Sequence, residues 1–248
     1  METLTCLKLE FMKFRKSLIK FLFLFPALLS TSMLCIGLYF RKKSFMTYGG
    51  LKNGFSSLLF ANHSMLAWHV ILLLFVISIS IYVFYIETSN DSLTSICSSN
   101  LKRRNIYLAK WMLLMLSTIL MILIGVCILV VEAKIFNIPF TFNDGVIVRY
   151  ISFELLCSLG LVSFQLFLIS LLKDITTSTI VSLLAAVGFN AIHLSDGLIP
   201  YIPYLYFSNS TPFSNTTILR QSIIVSLIYC VLFLIIGIIT FNFKDIRE

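Results

Sequence analysis

Long apolar runs separated by short polar segments are the main feature of this 248-residue chain. A helix that crosses a bilayer needs about 20 predominantly apolar residues. The runs have this length, and they lack the two-residue alternation and frequent turns of a transmembrane β-barrel. Because "LLSTSML" is a poor cleavage site, we expect the first run to be a span and not a signal peptide. The pattern predicts six transmembrane helices, at residues 18–40, 62–86, 109–131, 148–172, 176–194 and 219–241.

Composition supports a membrane protein. Hydrophobic residues make up 58% of the chain and charged residues 12%, against about 25% charged residues in soluble domains. Too few charged side chains are therefore available to cover a water-facing surface. The net charge of +8 is explained by the basic cytoplasmic loops of membrane proteins, so we expect no nucleic-acid partner. The sequence predicts an all-α integral membrane protein with a single transmembrane domain over residues 1–248.

The distribution of basic residues predicts the orientation. With both termini in the cytoplasm, 12 of the 19 Lys and Arg residues lie inside and seven lie outside. Basic residues collect on the cytoplasmic side of membrane proteins, and six spans return the chain to its starting side. The cluster "RKK" at 41–43 goes against this assignment. We therefore expect N-in, C-in topology.

Residues 1–17 form an amphipathic segment. Apolar side chains recur there at intervals of three and four residues, which places them along one face of a helix. The stripe comprises Leu4, Leu7, Phe11, Phe14 and Leu18. The polar residues on other faces include Glu10, Lys13, Lys16 and Lys20, and Arg15 adds to the basic charge of the segment. Such a helix suits the headgroup region of an anionic leaflet, as an interfacial elbow helix before the first span. The alternative is a basic flank that only sets topology.

The polar loop 87–108 has an ordered arrangement of charges. Acids lie at its front, at Glu87 and Asp91, and Leu93 and Ile96 share one face of a predicted short helix. Bases follow at Arg103, Arg104 and, at the start of the third span, Lys110. The loop is either a docking segment for a partner or an ordinary cytoplasmic loop that obeys the charge rule.

Polar residues inside the predicted spans are candidates for function. Glu154 lies near the outer end of the fourth span, where Arg149 and Tyr150 are one turn away. Intramembrane acids are costly and so are functional candidates by default. Gln165 and Asn190 more often form hydrogen bonds between helices. We consider Glu154 and Gln165 a possible intramembrane polar site.

The external segment "LIPYIPYLYFSNSTPFSN" is more apolar than an ordinary loop. It suits short re-entrant or interfacial helices, with aromatic side chains in the interfacial belt. These aromatic residues are Tyr201, Tyr204, Tyr206 and Phe207. The role of the segment is either a lipid-facing anchor, which we favour, or a contact with a peptide.

Catalytic and nucleotide-binding motifs are missing from the sequence. No G-x-x-x-x-G-K-[ST] motif occurs, so the chain has no P-loop for ATP. The six cysteines show no metal-ligand spacing, and His63, His69 and His193 are isolated in the sequence. We therefore expect no enzymatic activity and no cofactor or metal bound by this chain.

The order and spacing of these segments resemble the transmembrane subunits of type-2 ABC exporters. In the N-terminal basic pattern of that family, the matching positions are Glu10, Lys13, Arg15 and Lys16. In its first cytoplasmic loop, they are Glu87, Arg103 or Arg104, and Lys110. The family often has Pro before that Arg, where this chain has Leu101 and Lys102.

Two later segments resemble the lantibiotic self-immunity permeases within that family. "FQLFLISLLKDITTSTIVSLL" (164–184) is similar to their connection between the fourth and fifth spans. "LIPYIPYLYFSNS" (198–210) is similar to their Pro-aromatic segment before the last span. The resemblance implies that loop 87–108 is the coupling loop for an ATPase and that residues 1–17 form the elbow helix.

The resemblance also implies partners and a function. It implies two ABC ATPase subunits that carry ATP and Mg²⁺, and a second six-span permease, identical or paralogous, surrounded by membrane lipids. The function implied is export of an antimicrobial peptide from the bacterial plasma membrane. Two alternatives stay open: a membrane immunity or adaptor protein that binds a peptide without ATP, and an exporter of another hydrophobic drug or lipid-like substrate.

Overall fold

The computed structural model describes residues 2–15, 19–51, 53–89, 102–138, 145–172, 174–191 and 197–243. The described residues form eight α-helices and three short 3₁₀ helices. The α-helices are α1 (Glu2–Arg15), α2 (Ile19–Met46), α3 (Gly54–Ser64), α4 (Trp68–Ser89), α5 (Arg103–Ile135), α6 (Val146–Leu171), α7 (Ile175–Ala191) and α8 (Thr216–Phe243). The 3₁₀ helices are Tyr48–Gly50, Ile199–Tyr201 and Tyr206–Asn209.

Five of the described helices are long and apolar enough to cross a bilayer: α2, α4, α5, α6 and α8. This confirms the prediction of a helical multi-pass membrane protein. The fifth predicted span corresponds to α7, which has 17 residues. At 1.5 Å per residue it is about 26 Å long, slightly less than the roughly 30 Å hydrocarbon core. A sixth span therefore stays a prediction.

The helices around the predicted coupling loop extend further than the hydropathy pattern indicated. Helix α4 continues to Ser89, so Glu87 belongs to a helix. Helix α5 begins at Arg103, six residues before the predicted start at 109. Ile106 and Tyr107 in this added turn are buried, which explains why polar neighbours do not end the helix there. Residues 90–101 lie outside the described part of the chain.

The start of the second predicted span also differs. Residues 62–64 belong to the short helix α3, and α4 begins only at Trp68. Asn53 caps α3 by accepting a hydrogen bond from the Phe55 amide over 3.1 Å. Ala67 has a φ of 54°, a left-handed conformation that separates the two helices. Hydropathy alone did not detect this break because both helices are apolar.

Helix α5 is the centre of the bundle. It contacts α1, α2, α4, α6 and α8, whereas α7 packs mainly on α4. The longest interface joins α6 and α8, and it depends on close approach at Gly160. A Cβ atom there would lie 2.6 Å from the carbonyl oxygen of Ser226. Small residues of this kind allow membrane helices to approach closely and form hydrogen bonds.

The outer helices present apolar surfaces to their surroundings. In the most apolar 18-residue window of α2, 22% of residues are buried, and in that of α8 only 11% are. Exposed side chains there include Phe25, Phe40 and Ile228. A helix with an apolar exposed face is stable in lipid but not in water. The bundle surface is therefore suited to a bilayer.

Candidate functional site

An ion pair joins α1 to α5 at one end of the bundle. The Nζ atom of Lys110 lies 3.4 Å from Glu10 Oε1, and Lys13 Nζ lies 2.9 Å from the same oxygen. Lys110 is fully buried, and its ammonium group also lies 5.2 Å from the ring centre of Phe84. Since an unpaired buried ammonium is very costly, Glu10 compensates Lys110 and fixes α1 against the bundle. We call this end the proximal end.

The predicted elbow-helix residues lie partly on this interface. Leu7 packs against the buried core, while Phe11 is exposed, with 47% of its surface accessible. Cys6 and Glu10, outside the predicted stripe, are the residues that face the bundle. The apolar stripe therefore points away from the protein at Leu4 and Phe11. The side chains of Phe14, Arg15 and Lys16 lie outside the described part.

The predicted coupling residues are described only in part. Lys110 pairs with Glu10, and Arg103 Nη1 donates a hydrogen bond of 3.0 Å to the carbonyl oxygen of Asn242 in α8. Arg104 is exposed. Asp91, Leu93 and Ile96 lie outside the described residues, as does the side chain of Glu87. The structure thus connects the end of the predicted coupling loop to α1 and α8.

A buried polar cluster lies at the opposite, distal end of the bundle. Tyr150 donates a 2.5 Å hydrogen bond to Glu154 Oε1, and His63 Nδ1 lies 3.3 Å from that oxygen. His63 Nε2 lies 3.1 Å from the carbonyl oxygen of Ser208, and the Trp68 indole N–H approaches Glu154 Oε2 at 3.5 Å. Both His63 and Glu154 are fully buried. Helices α3, α4 and α6 therefore meet at one carboxyl group, and His63 connects it to the segment that contains Ser208.

The contacts of this cluster satisfy its buried polar groups. The Ser208 carbonyl only accepts, so His63 Nε2 donates to it. The Tyr150 hydroxyl donates to one oxygen of Glu154, and the Trp68 indole N–H approaches the other. Hydrogen-bond partners of this kind allow an acid to be retained inside an apolar bundle.

Trp68 reaches the cluster because a glycine lies beneath its ring. A Cβ atom on Gly125 of α5 would lie 2.3 Å from Trp68 Cζ2. Any larger residue at this position would displace the indole from Glu154. Gly125 is therefore the part of α5 that positions the cluster.

The segment after α7 enters the bundle, which corrects the favoured sequence interpretation. Tyr204, Tyr206 and Phe207 are buried, and of the four predicted belt residues only Tyr201 is substantially exposed, at 51%. The Tyr204 hydroxyl donates a 2.8 Å hydrogen bond to Gln165 Oε1 in α6. Gln165 Nε2 in turn donates to Ser182 of α7, also over 2.8 Å. Burial of Tyr204 is therefore accompanied by a hydrogen bond to its hydroxyl group, whereas the buried Tyr206 hydroxyl has no hydrogen-bond partner among the described residues.

Sequence reasoning identified some members of the distal cluster but not the cluster itself. The predicted Tyr150–Glu154 contact is present, while Arg149 is exposed. His63 was considered isolated because its partners are 87 and 145 residues away in the chain. The available signal was the short, poorly hydrophobic start of the predicted second span at 62–64. Only folding brings that segment onto α6.

A large apolar cavity opens on the side of the bundle between α2 and α4. Its volume is about 550 Å³, and Leu183 of α7 contributes to one wall. Pro26 lies in α2 beside it, and Phe21 and Phe25 of α2 are exposed at its edge. A cavity of this size accommodates part of a large apolar molecule that arrives from the bilayer.

These features define a class of protein: a helical, multi-pass membrane protein with an amphipathic N-terminal helix and a buried polar cluster. A comparison with models of protein families is more specific. The model described as ABC-2 family transporter protein matches residues 6–194, about three quarters of the chain. The chain therefore belongs to the ABC-2 transporter family, and it is a membrane permease subunit of an ABC transporter. No curated protein matches the sequence.

Proposed function

We propose that this permease belongs to an exporter that removes an antimicrobial peptide from the bacterial plasma membrane. The family match over residues 6–194 supports the statement that the chain is part of an ABC transporter. The direction and the peptide substrate rest on the resemblance of segments 164–184 and 198–210 to lantibiotic self-immunity permeases. In this proposal the six predicted spans have N-in, C-in topology, with α7 as the fifth.

The proposed assembly contains two ATPase subunits and two permeases, the second permease being identical or paralogous. ATP and Mg²⁺ bind to the ATPases, because this chain has no P-loop. The loop at 87–108 contacts the ATPase as the coupling loop. ATP binding brings the two ATPases together, and the loop transmits that movement to the spans.

The ion pair at the proximal end connects the proposed coupling loop to the helices of the bundle. Lys110 follows the loop directly and is buried against Glu10 of α1. Arg103 contacts the end of α8. A displacement of the loop therefore acts on α1, α5 and α8 together. Leu4 and Phe11 of the apolar stripe of α1 face outward, which suits an elbow helix lying in the headgroup region.

The cavity between α2 and α4 supports entry of the substrate from the bilayer. An amphiphilic peptide partitions into the membrane before it meets the transporter. A 550 Å³ apolar cavity on the side of the bundle receives an apolar side chain or acyl group without passage through water. The distal cluster then holds the outer end of the bundle closed until the helices move.

The test of the proposed substrate uses a bacterium sensitive to a lantibiotic that expresses the permease and its ATPase. Export predicts less cell-associated peptide and a higher inhibitory concentration. Both effects should disappear when the P-loop Lys of the ATPase is replaced. Retained resistance with that inactive ATPase would favour the peptide-binding adaptor. Unchanged sensitivity to peptides, with ATP-dependent loss of a hydrophobic dye, would favour another apolar substrate.

A further inference from the structure

A second groove, on the other side of α2, contains a buried carboxyl group that neither the distal cluster nor the coupling route uses. The groove lies between α2 and α5 and has a volume of about 490 Å³. Its walls are almost entirely apolar, and include Leu120, Ile124 and Ile128 of α5. Glu132 lies at one end of the groove, near the distal end of the bundle.

Among the described residues, only one of the two carboxyl oxygens of Glu132 has a hydrogen-bond partner. The residue is 2% exposed, and its Oε1 atom accepts a hydrogen bond from the Cys35 thiol over 3.6 Å. Its Oε2 atom is buried and has no hydrogen-bond partner among the described residues. Buried polar atoms without a partner are uncommon and costly, so this oxygen is available to a donor that enters the groove.

The nearby cation does not fill this role. Lys42 of α2 donates to the carbonyl oxygen of Phe136, one turn beyond Glu132. That contact joins α2 to α5 beyond the end of the groove and leaves Glu132 Oε2 unpaired. No described Lys or Arg forms an ion pair with Glu132. The missing partner is therefore a donor from outside the described chain, and a cationic donor matches the carboxylate charge.

The shape of the groove defines the rest of the ligand. Leu120 and Glu132 are 12 residues apart on α5, or about 18 Å along the helix axis. This is the length scale of an extended fatty chain. Several residues at the groove, including Leu120, Leu123, Cys127 and Val131, are exposed on the outer surface of the bundle. An elongated apolar molecule therefore has direct access from the lipid phase.

We propose that the groove between α2 and α5 binds an amphiphile that carries an ammonium group, with the ammonium on Glu132 and the chain against Leu120 and Ile124. A membrane lipid with a primary amine and a freely diffusing alkylamine share this chemistry. The site is independent of the proposed export of peptides, because binding requires neither ATP nor an ATPase.

Cys127 provides a reporter for this site. It is exposed and lies on the groove, so a bound chain should slow its alkylation by N-ethylmaleimide. The full chain is reconstituted in phosphatidylcholine nanodiscs, and alkylation of Cys127 is followed by peptide mass spectrometry. Dodecylamine is the cationic probe, and dodecanol is the neutral probe with the same chain.

The proposal predicts that dodecylamine protects Cys127 at a concentration at least about tenfold lower than dodecanol does, the usual scale for a charge-assisted contact. Glu132→Gln should remove that difference. Asp174→Asn, which removes one exposed acid elsewhere, should preserve it. Ile128→Trp, which fills the groove, should abolish protection by both probes even if Glu132→Gln impairs folding.

The source of the natural ligand is distinguished by adding phosphatidylethanolamine to the nanodiscs. Competition with dodecylamine that depends on Glu132 would support the site with a lipid headgroup as its ligand. Absence of competition, with dodecylamine still bound, would support a freely diffusing amine. Equal protection by both probes in the original chain would overturn the proposal. The proposal would also be overturned if a second copy of this chain covered Cys127 and excluded dodecylamine from the groove.

Discussion

The most specific predictions concern individual residues whose charges are buried. The Glu10–Lys110 contact is a 3.4 Å ion pair in which Lys110 is fully buried. The ion pair adds little net stability to the fold, but separating its two partners is unfavourable because each would then be a lone buried charge. The pair therefore keeps α1 attached to α5 as long as both residues are present.

Glu10→Gln should loosen α1 from the bundle. The substitution leaves the Lys110 ammonium without its carboxylate, which should cost about 3–5 kcal/mol. Hydrogen exchange at the amides of α1 should become faster, while exchange in α6 stays the same. Lys13→Met is the matched control, since it removes only the more exposed partner of Glu10. Faster exchange in the control than in Glu10→Gln would contradict the assigned role.

Asp174 gives a pH-dependent prediction outside the membrane-spanning helices. The Thr177 amide and hydroxyl both donate 3.0 Å hydrogen bonds to its carboxylate, and these bonds lower the pKa of Asp174 below the ordinary value. The carboxylate therefore stabilises the start of α7 above the ordinary pKa, and this contribution is lost as the pH falls through the lowered one. The protection of the first amides of α7, measured as their exchange rate relative to the intrinsic rate at each pH, should fall in acid.

Asp174→Ala should lower the protection of these amides at neutral pH and remove the dependence of that protection on pH. Asp174→Asn should remove the pH dependence but retain much of the protection, because Asn is also a good helix cap. An unchanged acid response in Asp174→Asn would show that another group causes it.

Elements acquire their positions from contacts that are distant in sequence. The distal cluster joins α3, α4 and α6 to the segment that precedes α8. Each participating element buries a different polar atom, and Gly125 of α5 gives Trp68 the space to join them. A change at Gly125 should therefore disturb several elements together.

Gly125→Ala should displace the Trp68 ring, since the added Cβ atom would lie within 2.3 Å of it. In a Trp111→Phe background, Trp68 is the single tryptophan, and its fluorescence should shift. Gly188→Ala in α7 is the matched control, because a Cβ atom added there would meet no described atom within 4 Å. The same fluorescence for Gly125→Ala and the original chain would contradict the described packing.

The sequence predicted the membrane helices better than it predicted their polar contacts. Apolar runs determined five spans because bilayer thickness imposes a length on them. The break before Trp68 was missed because α3 and α4 are both apolar. Tyr204, Tyr206 and Phe207 were predicted to lie in the interfacial belt but are buried, because aromatic residues suit both an interface and a buried contact. Contacts such as His63 with Tyr150 depend on the tertiary fold and leave no periodic signal in the sequence.

The whole molecule is interpreted as one part of a larger machine. The chain belongs to the ABC-2 transporter family, and its proximal end combines α1, the start of α5 and the end of α8. In the proposed assembly, loop 87–108 is the contact with the ATPase. Its residues 90–101 lie outside the described structure, so this role is tested by substitution.

Replacing Leu93 and Ile96 with Asp should uncouple ATP hydrolysis from peptide resistance while expression stays normal. Two charges would replace the apolar face that is proposed to contact the ATPase. The matched control is Ser92→Asp with Ser95→Asp, which has the same spacing and added charge but keeps that face. Resistance and ATPase activity are measured in parallel. Full resistance in the Leu93/Ile96 variant would exclude the coupling role.

Glu87→Lys should reduce recovery of the ATPase with the permease, since it reverses the charge at the front of the same loop. Recovery is quantified on a tagged permease in mild detergent, with Asp174→Lys as a charge-matched control at the next loop that is predicted to be cytoplasmic. Normal recovery with Glu87→Lys would remove Glu87 from the interface.

Co-purification of the tagged chain from its native membrane is the decisive test of its role as a permease subunit. We expect a P-loop ATPase to be recovered with it, in a complex with two ATPases and two permeases. Mass spectrometry identifies the subunits, and native mass measurement gives their numbers. Repeated purification of the chain without any P-loop ATPase, under conditions that preserve its fold, would show that it does not act as an ATPase-coupled permease.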